Sequence, residues 1–144
     1  MAARSKPISF SSLLALFEQS SAEARKRIVE LVEHRPKLAL PHIEDVAALL
    51  ESTKAPVRNA SIEMLAALSR VSPTAMAFLI PALHELLSNE PQQAVANHAV
   101  EILTNYARTS KEAAQKVIPI LQKNVRMWNP KLTLRVKDAL KELK

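Results

Sequence analysis

Apolar residues recur at intervals of three and four along most of the chain, the spacing that places them on one face of an α-helix. Proline or serine stands before each of four such stretches, at Pro7, Pro36, Pro73 and Ser110. A second set of prolines opens a further stretch after each of the last three, at Pro56, Pro91 and Pro130. Proline is favoured in the first turn of a helix, where an N–H group has no partner. The pattern therefore predicts alternating A and B helices.

The predicted chain is all-α and forms a single domain over residues 1–144. Its eight helices are A1 7–19, B1 22–35, A2 36–52, B2 56–71, A3 73–88, B3 91–108, A4 111–127 and B4 130–143. They form four helix pairs, at about 7–35, 36–71, 73–108 and 111–143. We expect these pairs to stack as an α-α superhelix, because a single pair cannot bury its apolar face alone.

Two further sets of residues indicate a repeat of about 38 residues. Prolines inside the predicted A helices recur at nearly this interval, at Pro41, Pro81 and Pro119. Leucines inside the B helices recur at a similar interval, at Leu31, Leu65, Leu103 and Leu140. An interior proline removes one helical hydrogen bond, so each A helix is expected to kink.

The segment from Pro56 to Leu68, with Val57-Arg58 followed by small residues and leucines, resembles the second helix of a HEAT repeat. The kinked first helix and the period of the repeat are similar to that family as well. The resemblance implies an α-solenoid that acts as a protein-binding scaffold. Armadillo-type stacking is a close variant and remains an alternative. A compact bundle is less favoured, because a bundle requires no such period.

Composition removes several classes of function from consideration. The chain has no Gly and no Cys, so glycine-rich phosphate loops, nucleophile elbows, disulfides and thiolate metal sites are excluded in their usual forms. The four histidines are scattered, and spacings such as His98 with Glu101 favour a surface contact over a site. We therefore predict no enzymatic activity, no cofactor and no metal. The N-terminus does not read as a signal peptide, and no apolar run approaches the ~20 residues of a membrane span. A cytoplasmic protein is expected.

A binding surface is predicted on the B helices, which line the concave side of HEAT-like arrays. Opposite the expected buried arc of B2, similar side chains recur one repeat later in B3. These candidate groove residues are Arg25 and Ile28 in B1, Asn59, Ile62, Glu63 and Arg70 in B2, and Asn97, Val100, Glu101 and Arg108 in B3. Mixed charge around aliphatic positions suits a peptide or helix from another protein. The alternative is that the aliphatics simply pack against the next repeat.

The net charge of +6 is concentrated in residues 111–144. Basic residues and the single Trp mark this end: Lys123, Arg126, Trp128, Lys131, Lys137, Lys141 and Lys144. Such a cluster suits a nucleic-acid phosphate backbone, which is the alternative function. The other interpretation is a solvated cap on the terminal repeat. Neither the identity of a partner nor the oligomeric state follows from the sequence.

Overall fold

A computed structural model of the chain describes residue 17 and residues 21–89, 93–124 and 130–143. All regular secondary structure within these ranges is helical, and the ranges contain no strand. The α-helices are α1 Ala22–His34, α2 Pro36–Ala39, α3 Ile43–Ala48, α4 Ala55–Val71, α5 Ile80–Asn89, α6 Gln93–Ala107, α7 Lys111–Asn124 and α8 Pro130–Leu143. Short 3₁₀ segments cover Leu40–His42, Leu49–Glu51 and Pro73–Leu79.

These bounds confirm the all-α prediction and place helical structure in every predicted stretch from B1 to B4. Helix A1 lies outside the described residues, except for Phe17, whose side chain is fully buried. Two of the predicted helices begin after a serine whose side chain caps the first turn. The hydroxyls of Ser21 and Ser110 accept hydrogen bonds from the backbone N–H groups of Ala24 and Ala113, at 3.1 and 3.0 Å.

The three interior prolines have different effects on their helices. Pro41 lies in the 3₁₀ segment between α2 and α3, so helix A2 is broken there. Pro81 follows the change from the 3₁₀ segment Pro73–Leu79 to α5. Pro119 lies inside α7, which stays one α-helix. Because a proline lacks the N–H for one helical hydrogen bond, a 3₁₀ turn beside it is a common accommodation.

The four predicted B helices are α1, α4, α6 and α8, and they contact one another in chain order. Helix α1 contacts α4, α4 contacts α6, and α6 contacts α8. We call this arrangement the B-helix row. The intervening segments pack against members of the row: 36–51 contacts α4, 73–89 contacts α6, and α7 contacts both α6 and α8.

Burial is very uneven along the B-helix row. Helix α4 is buried on almost every side over residues 60–69, whereas α1 buries only Val29 and Val32 completely. In α8 the buried side chains among the described residues are Val136 and Ala139. Helices α4 and α6 each contact two other members of the row as well as intervening helical segments, so only a narrow strip of each reaches solvent.

Small residues allow the close packing of α4. Ser61 is fully buried, and its hydroxyl donates a 2.7 Å hydrogen bond to the carbonyl oxygen of Val46 in α3. A buried hydroxyl without a partner would be costly, so this bond fixes how α3 sits against α4. Val71, the last residue of α4, is 53% exposed.

Candidate functional site

The aliphatic residues predicted to face the groove, Ile28, Ile62 and Val100, are buried or partly buried. Ile62 is 0% exposed and Val100 is 1% exposed, and both belong to the hydrophobic core. Ile28 is partly buried and packs against the same core. Since α4 and α6 have neighbours on both sides, positions opposite the first buried arc still face another helix. The prediction of an exposed aliphatic row was wrong, and packing against neighbours is the interpretation that fits.

The predicted charged positions do reach the surface, and two of them join neighbouring helices. Arg70 at the end of α4 makes two hydrogen bonds to the Glu101 carboxylate in α6: Nε to Oε2 at 2.7 Å and Nη2 to Oε1 at 3.2 Å. His98 lies beside the pair, with Nδ1 3.7 Å from Oε1 of Glu101. The hydrogen bonds to Glu101 raise the pKa of Arg70, and the negative charge of Glu33 in α1 adds to the effect.

A second arginine extends this connection to α8. Arg108, just after the end of α6, hydrogen bonds to both carboxylate oxygens of Glu142, through Nε and through Nη2 at 2.8 Å. These bonds raise the pKa of Arg108 and lower the pKa of Glu142. Both side chains are about half exposed.

A series of hydrogen bonds between polar side chains connects Arg108 to α4. Arg108 Nη1 donates to Oδ1 of Asn105 at 3.1 Å, and Nδ2 of Asn105 donates to the hydroxyl of Ser69 at 3.1 Å. The buried Ser69 hydroxyl donates in turn to the carbonyl oxygen of Ala66 at 2.7 Å. Helices α4, α6 and α8 are thus linked by one continuous hydrogen-bonded chain, which favours a fixed spacing between them.

We expect the Arg70–Glu101 pair to contribute little to stability in spite of its geometry. Arg70 is 52% exposed, so solvent and salt screen the attraction. A double-mutant cycle of Arg70→Ala and Glu101→Ala should give a coupling energy of about 0.2–1 kcal/mol by urea unfolding. The coupling should shrink when ~1 M NaCl is added. A coupling that salt leaves unchanged would contradict this assignment.

Two open clefts lie between neighbouring members of the B-helix row. The α1–α4 cleft has a volume of about 290 Å³ and is lined by Ala22, Arg25, Lys26, Val29, Glu30, Glu33, Pro56, Asn59, Ala60 and Glu63. The α6–α8 cleft has a volume of about 410 Å³ and is lined by Val100, Glu101, Thr104, Asn105, Arg108, Asp138, Ala139 and Glu142. Polar and charged side chains make up most of both linings.

Six of the ten predicted groove residues line one of the two clefts. Arg25, Asn59 and Glu63 line the α1–α4 cleft. Val100, Glu101 and Arg108 line the α6–α8 cleft, where Val100 contributes only a nearly buried side chain. Arg70 joins α4 to α6, Asn97 is partly buried and lines neither cleft, and Ile28 and Ile62 lie in or against the core.

Asn59 has an unusual environment for an amide side chain. Its Oδ1 atom is buried and has no hydrogen-bond partner, the one such atom identified among the described residues. The residue as a whole is partly buried in the first turns of α4 and lines the α1–α4 cleft. A buried acceptor without a donor costs about 1–3 kcal/mol.

The predicted basic end is only partly within the described residues. Lys123, Lys137 and Lys141 are exposed, the latter two one turn apart on α8. Lys131 lies in the first turn of α8. Arg126, Trp128 and Lys144 lie outside the described residues. Lys137 and Lys141 therefore form a basic strip on α8, and none of the three exposed lysines lines either cleft.

Histidine and carboxylate side chains do not gather into a metal site in the described ranges, where no group of three or more His, Asp or Glu could hold an ion. In that part of the chain, no helix is both long and apolar enough to cross a membrane.

Several residues of this surface were not predicted from the sequence: Lys26, Glu30, Glu33, Ser69, Asn105 and Glu142. A signal existed for the ion pairs, because Arg70 precedes Glu101, and Arg108 precedes Glu142, by a little less than one repeat. An arginine at the end of one B helix thus meets a glutamate of the next. The sequence contains no pattern that predicts the clefts, because their shape depends on how the helices are spaced.

Comparisons with known proteins add no family to this description. No protein-family model matches the chain, and no curated protein matches it at a significant level of similarity.

Proposed function

We propose that the chain is a non-enzymatic scaffold that binds a segment of another protein along its B-helix row. The observation that carries the proposal is the pair of open, charge-lined clefts between neighbouring B helices. Most of the residues proposed from the sequence as groove positions either line these clefts or bridge the helices between them. We propose further that the helices stack as a HEAT-like superhelix.

The contacts between helices support the stacked arrangement. Each member of the B-helix row contacts the next, and the segments between them contact members of the row. This is the contact pattern expected when helix pairs stack in one dimension. Residues 36–51 and α4 would form one pair, 73–89 and α6 the next, and α7 and α8 the last.

The form of the clefts favours a polypeptide over a small molecule. Pockets for small ligands enclose most of the surface of their ligand, whereas these clefts are open to solvent. Neighbouring packed helices lie about 8–10 Å apart, so the two clefts are separated by roughly 20 Å. An extended chain covers that distance in about six residues. One short peptide can therefore place a side chain in each cleft.

Nucleic acid is the alternative ligand. The observation that favours it is the exposed strip formed by Lys137 and Lys141 on α8. Each lysine that neutralises a phosphate adds to affinity at low salt. The clefts themselves carry more carboxylates than basic groups, and carboxylates repel phosphate. A nucleic acid would therefore contact the outer side of α8 and leave the clefts empty.

A random pool of short synthetic peptides tests the leading proposal whatever the natural partner is. Peptides retained on the immobilised protein are sequenced, resynthesised and titrated into ¹⁵N-labelled protein. We expect the amide shift changes to concentrate on residues that line the two clefts. The titration is repeated with Glu63→Arg in the α1–α4 cleft and with Glu44→Arg, an exposed position of α3.

Binding should weaken in Glu63→Arg and stay unchanged in Glu44→Arg, because only Glu63 faces the proposed ligand. If no peptide is retained, or if the shift changes concentrate on 36–51, 73–89 and α7, the scaffold proposal fails.

A further inference from the structure

Helix α6 turns one face toward the next helix of the row. Val100 and Thr104 line the cleft with α8, and Arg108 binds Glu142 of that helix. The three positions are four residues apart, so they lie on one face of α6. Val100 and Thr104 are buried there. We call this surface the forward face, because it contacts the next helix in chain order.

Helix α4 has a forward face of the same kind. The corresponding residues, one repeat earlier, are Ile62, Ala66 and Arg70. Ile62 and Ala66 are both 0% exposed, and Arg70 binds Glu101 of α6. In both inner helices the forward face is thus buried at its first two positions, and it ends in an arginine that binds the next helix.

The register of α8 follows from its side toward α6. Asp138 and Glu142 of α8 line the cleft between these two helices. In α6, Glu101 and Asn105 are the side chains that hydrogen bond to residues of α4. Each of them stands 37 residues before its counterpart in α8. The same shift therefore aligns the forward faces of α6 and α8.

The forward face of α8 carries Lys137 and Lys141, at the positions of Val100 and Thr104. Both lysines are exposed. Leu134, one turn before Lys137, is 60% exposed, the largest fraction among the large apolar side chains of the described residues. Lysines thus stand where the inner helices have buried residues, and an exposed leucine lies beside them.

The place of this face in the row indicates the shape of what binds there. The forward faces of α4 and α6 each receive an α-helix, so the forward face of α8 continues an interface that the row already uses. Lys137 and Lys141 are about 6 Å apart along the axis, which matches two carboxylates one turn apart on a facing helix. The carboxylates of α8, Asp138 and Glu142, line its side toward α6, so the lysines face a different way.

We infer that the forward face of α8 binds an acidic α-helix of another protein. Two carboxylates of that helix, one turn apart, accept hydrogen bonds from the ammonium groups of Lys137 and Lys141. An apolar side chain of the same helix covers Leu134. This interface extends the row by one helix and is separate from the two clefts, so it goes beyond the proposed function.

Leu134 favours a protein helix over other anionic partners. A nucleic-acid phosphate backbone gains affinity from the lysines and nothing from an exposed leucine. A bilayer binds an amphipathic helix through a broad apolar face, whereas the apolar residues Val136 and Ala139 of α8 are buried in the core. A second copy of α8 would place lysines against lysines.

Two synthetic helices labelled with fluorescein test the inference. Both are alanine-rich peptides of about 20 residues with leucines along one face. One carries glutamate pairs one turn apart beside the leucines, and the other carries glutamine at the same positions. In fluorescence anisotropy titrations at about physiological ionic strength, we expect the glutamate peptide to bind more tightly. Equal affinities, or no binding of the glutamate peptide at millimolar concentration, would overturn the inference.

The variant Lys137→Gln/Lys141→Gln locates the binding on α8. Affinity for the glutamate peptide should fall about tenfold, because two ion pairs of about threefold each are lost. The matched control Lys37→Gln/Lys111→Gln removes the same charge from exposed positions of α2 and α7 and should change affinity less than about twofold. Since the chain carries a net charge of +6, equal losses in both variants would mean that only net charge attracts the peptide, and the inference would fail.

Leu134→Ala gives a readout that does not depend on charge. Affinity for the glutamate peptide should fall about fivefold, because apolar contact is lost, and the melting temperature should stay unchanged, because the side chain is exposed. The control Val71→Ala, at another exposed position, should bind normally. Two other results would overturn the inference. One is a short DNA duplex that binds through Lys137 and Lys141 while the glutamate peptide does not. The other is a dimer in light scattering that Leu134→Ala dissociates.

Discussion

Replacing Ile62 by Asp is expected to abolish the cooperative fold of the chain. The Ile62 side chain is 0% exposed and belongs to the core cluster. An aspartate there is buried without a partner, either charged or protonated, at a cost of several kcal/mol. Domains of this size are stable by only about 5–15 kcal/mol. We therefore expect a far-UV circular dichroism spectrum with reduced helix content and a urea transition that is lost or shifted strongly to lower concentration.

Val71→Asp is the matched control, since it replaces another β-branched residue of α4. Val71 is 53% exposed at the last turn, where a negative charge opposes the helix dipole by about 0.3–1 kcal/mol. Its spectrum should match that of the wild-type protein. If Ile62→Asp also kept a wild-type spectrum and midpoint, Ile62 would face solvent, and the aliphatic groove predicted from the sequence would be correct after all.

The location of the helices followed from the sequence because their ends are encoded locally. Proline in the first turn, as at Pro36, and a serine cap, as at Ser110, act through groups close to the helix start. Neither depends on what the helix later packs against. The kinks were less predictable, because the effect of Pro41 and Pro119 on the backbone depends on whether the neighbouring helices hold the α-helical path.

The error at Ile62 and Val100 has a different origin. A helical wheel assigns one buried arc, which suits a helix that covers a core from one side. A helix inside a row has neighbours to the left and right as well, and it buries positions that the wheel assigns to solvent. The polar positions Glu63 and Arg70 were assigned correctly because a charged side chain is rarely buried without a partner.

The candidate site was predictable only in its individual residues. Arg70, Glu101 and Arg108 were proposed because they recur, yet the sequence does not show that the two arginines bind carboxylates of the next helix. The α1–α4 cleft depends on the gap between α1 and α4, and the unpartnered Oδ1 of Asn59 depends on the packing around it. Those quantities are set by the tertiary arrangement.

The leucines that indicated the repeat differ in burial, which is also set by the tertiary arrangement. Leu31 and Leu65 stand about one repeat apart at aligned positions of two B helices, and the repeat would make them equivalent. They are not equivalent in burial, because Leu65 is 0% exposed in α4 and Leu31 is 36% exposed in α1. Position within the row, and not sequence pattern, decides how much each leucine contributes to stability.

Alanine substitution at these two leucines is expected to have very different effects. Leu65→Ala should lower the free energy of unfolding by about 2–5 kcal/mol, because the methyl groups are lost and the cavity that remains is closed by helices on several sides. Leu31→Ala should lower it by less than about 1 kcal/mol, since solvent already reaches the side chain and no cavity is enclosed.

Urea unfolding of both variants, followed by far-UV circular dichroism, measures the two effects under identical conditions. The substitution is the same and both residues lie within a helix, so differences in helix propensity cancel. The difference between the variants then reports burial alone. Equal losses would mean that Leu31 is covered as completely as Leu65, which would contradict its 36% exposure.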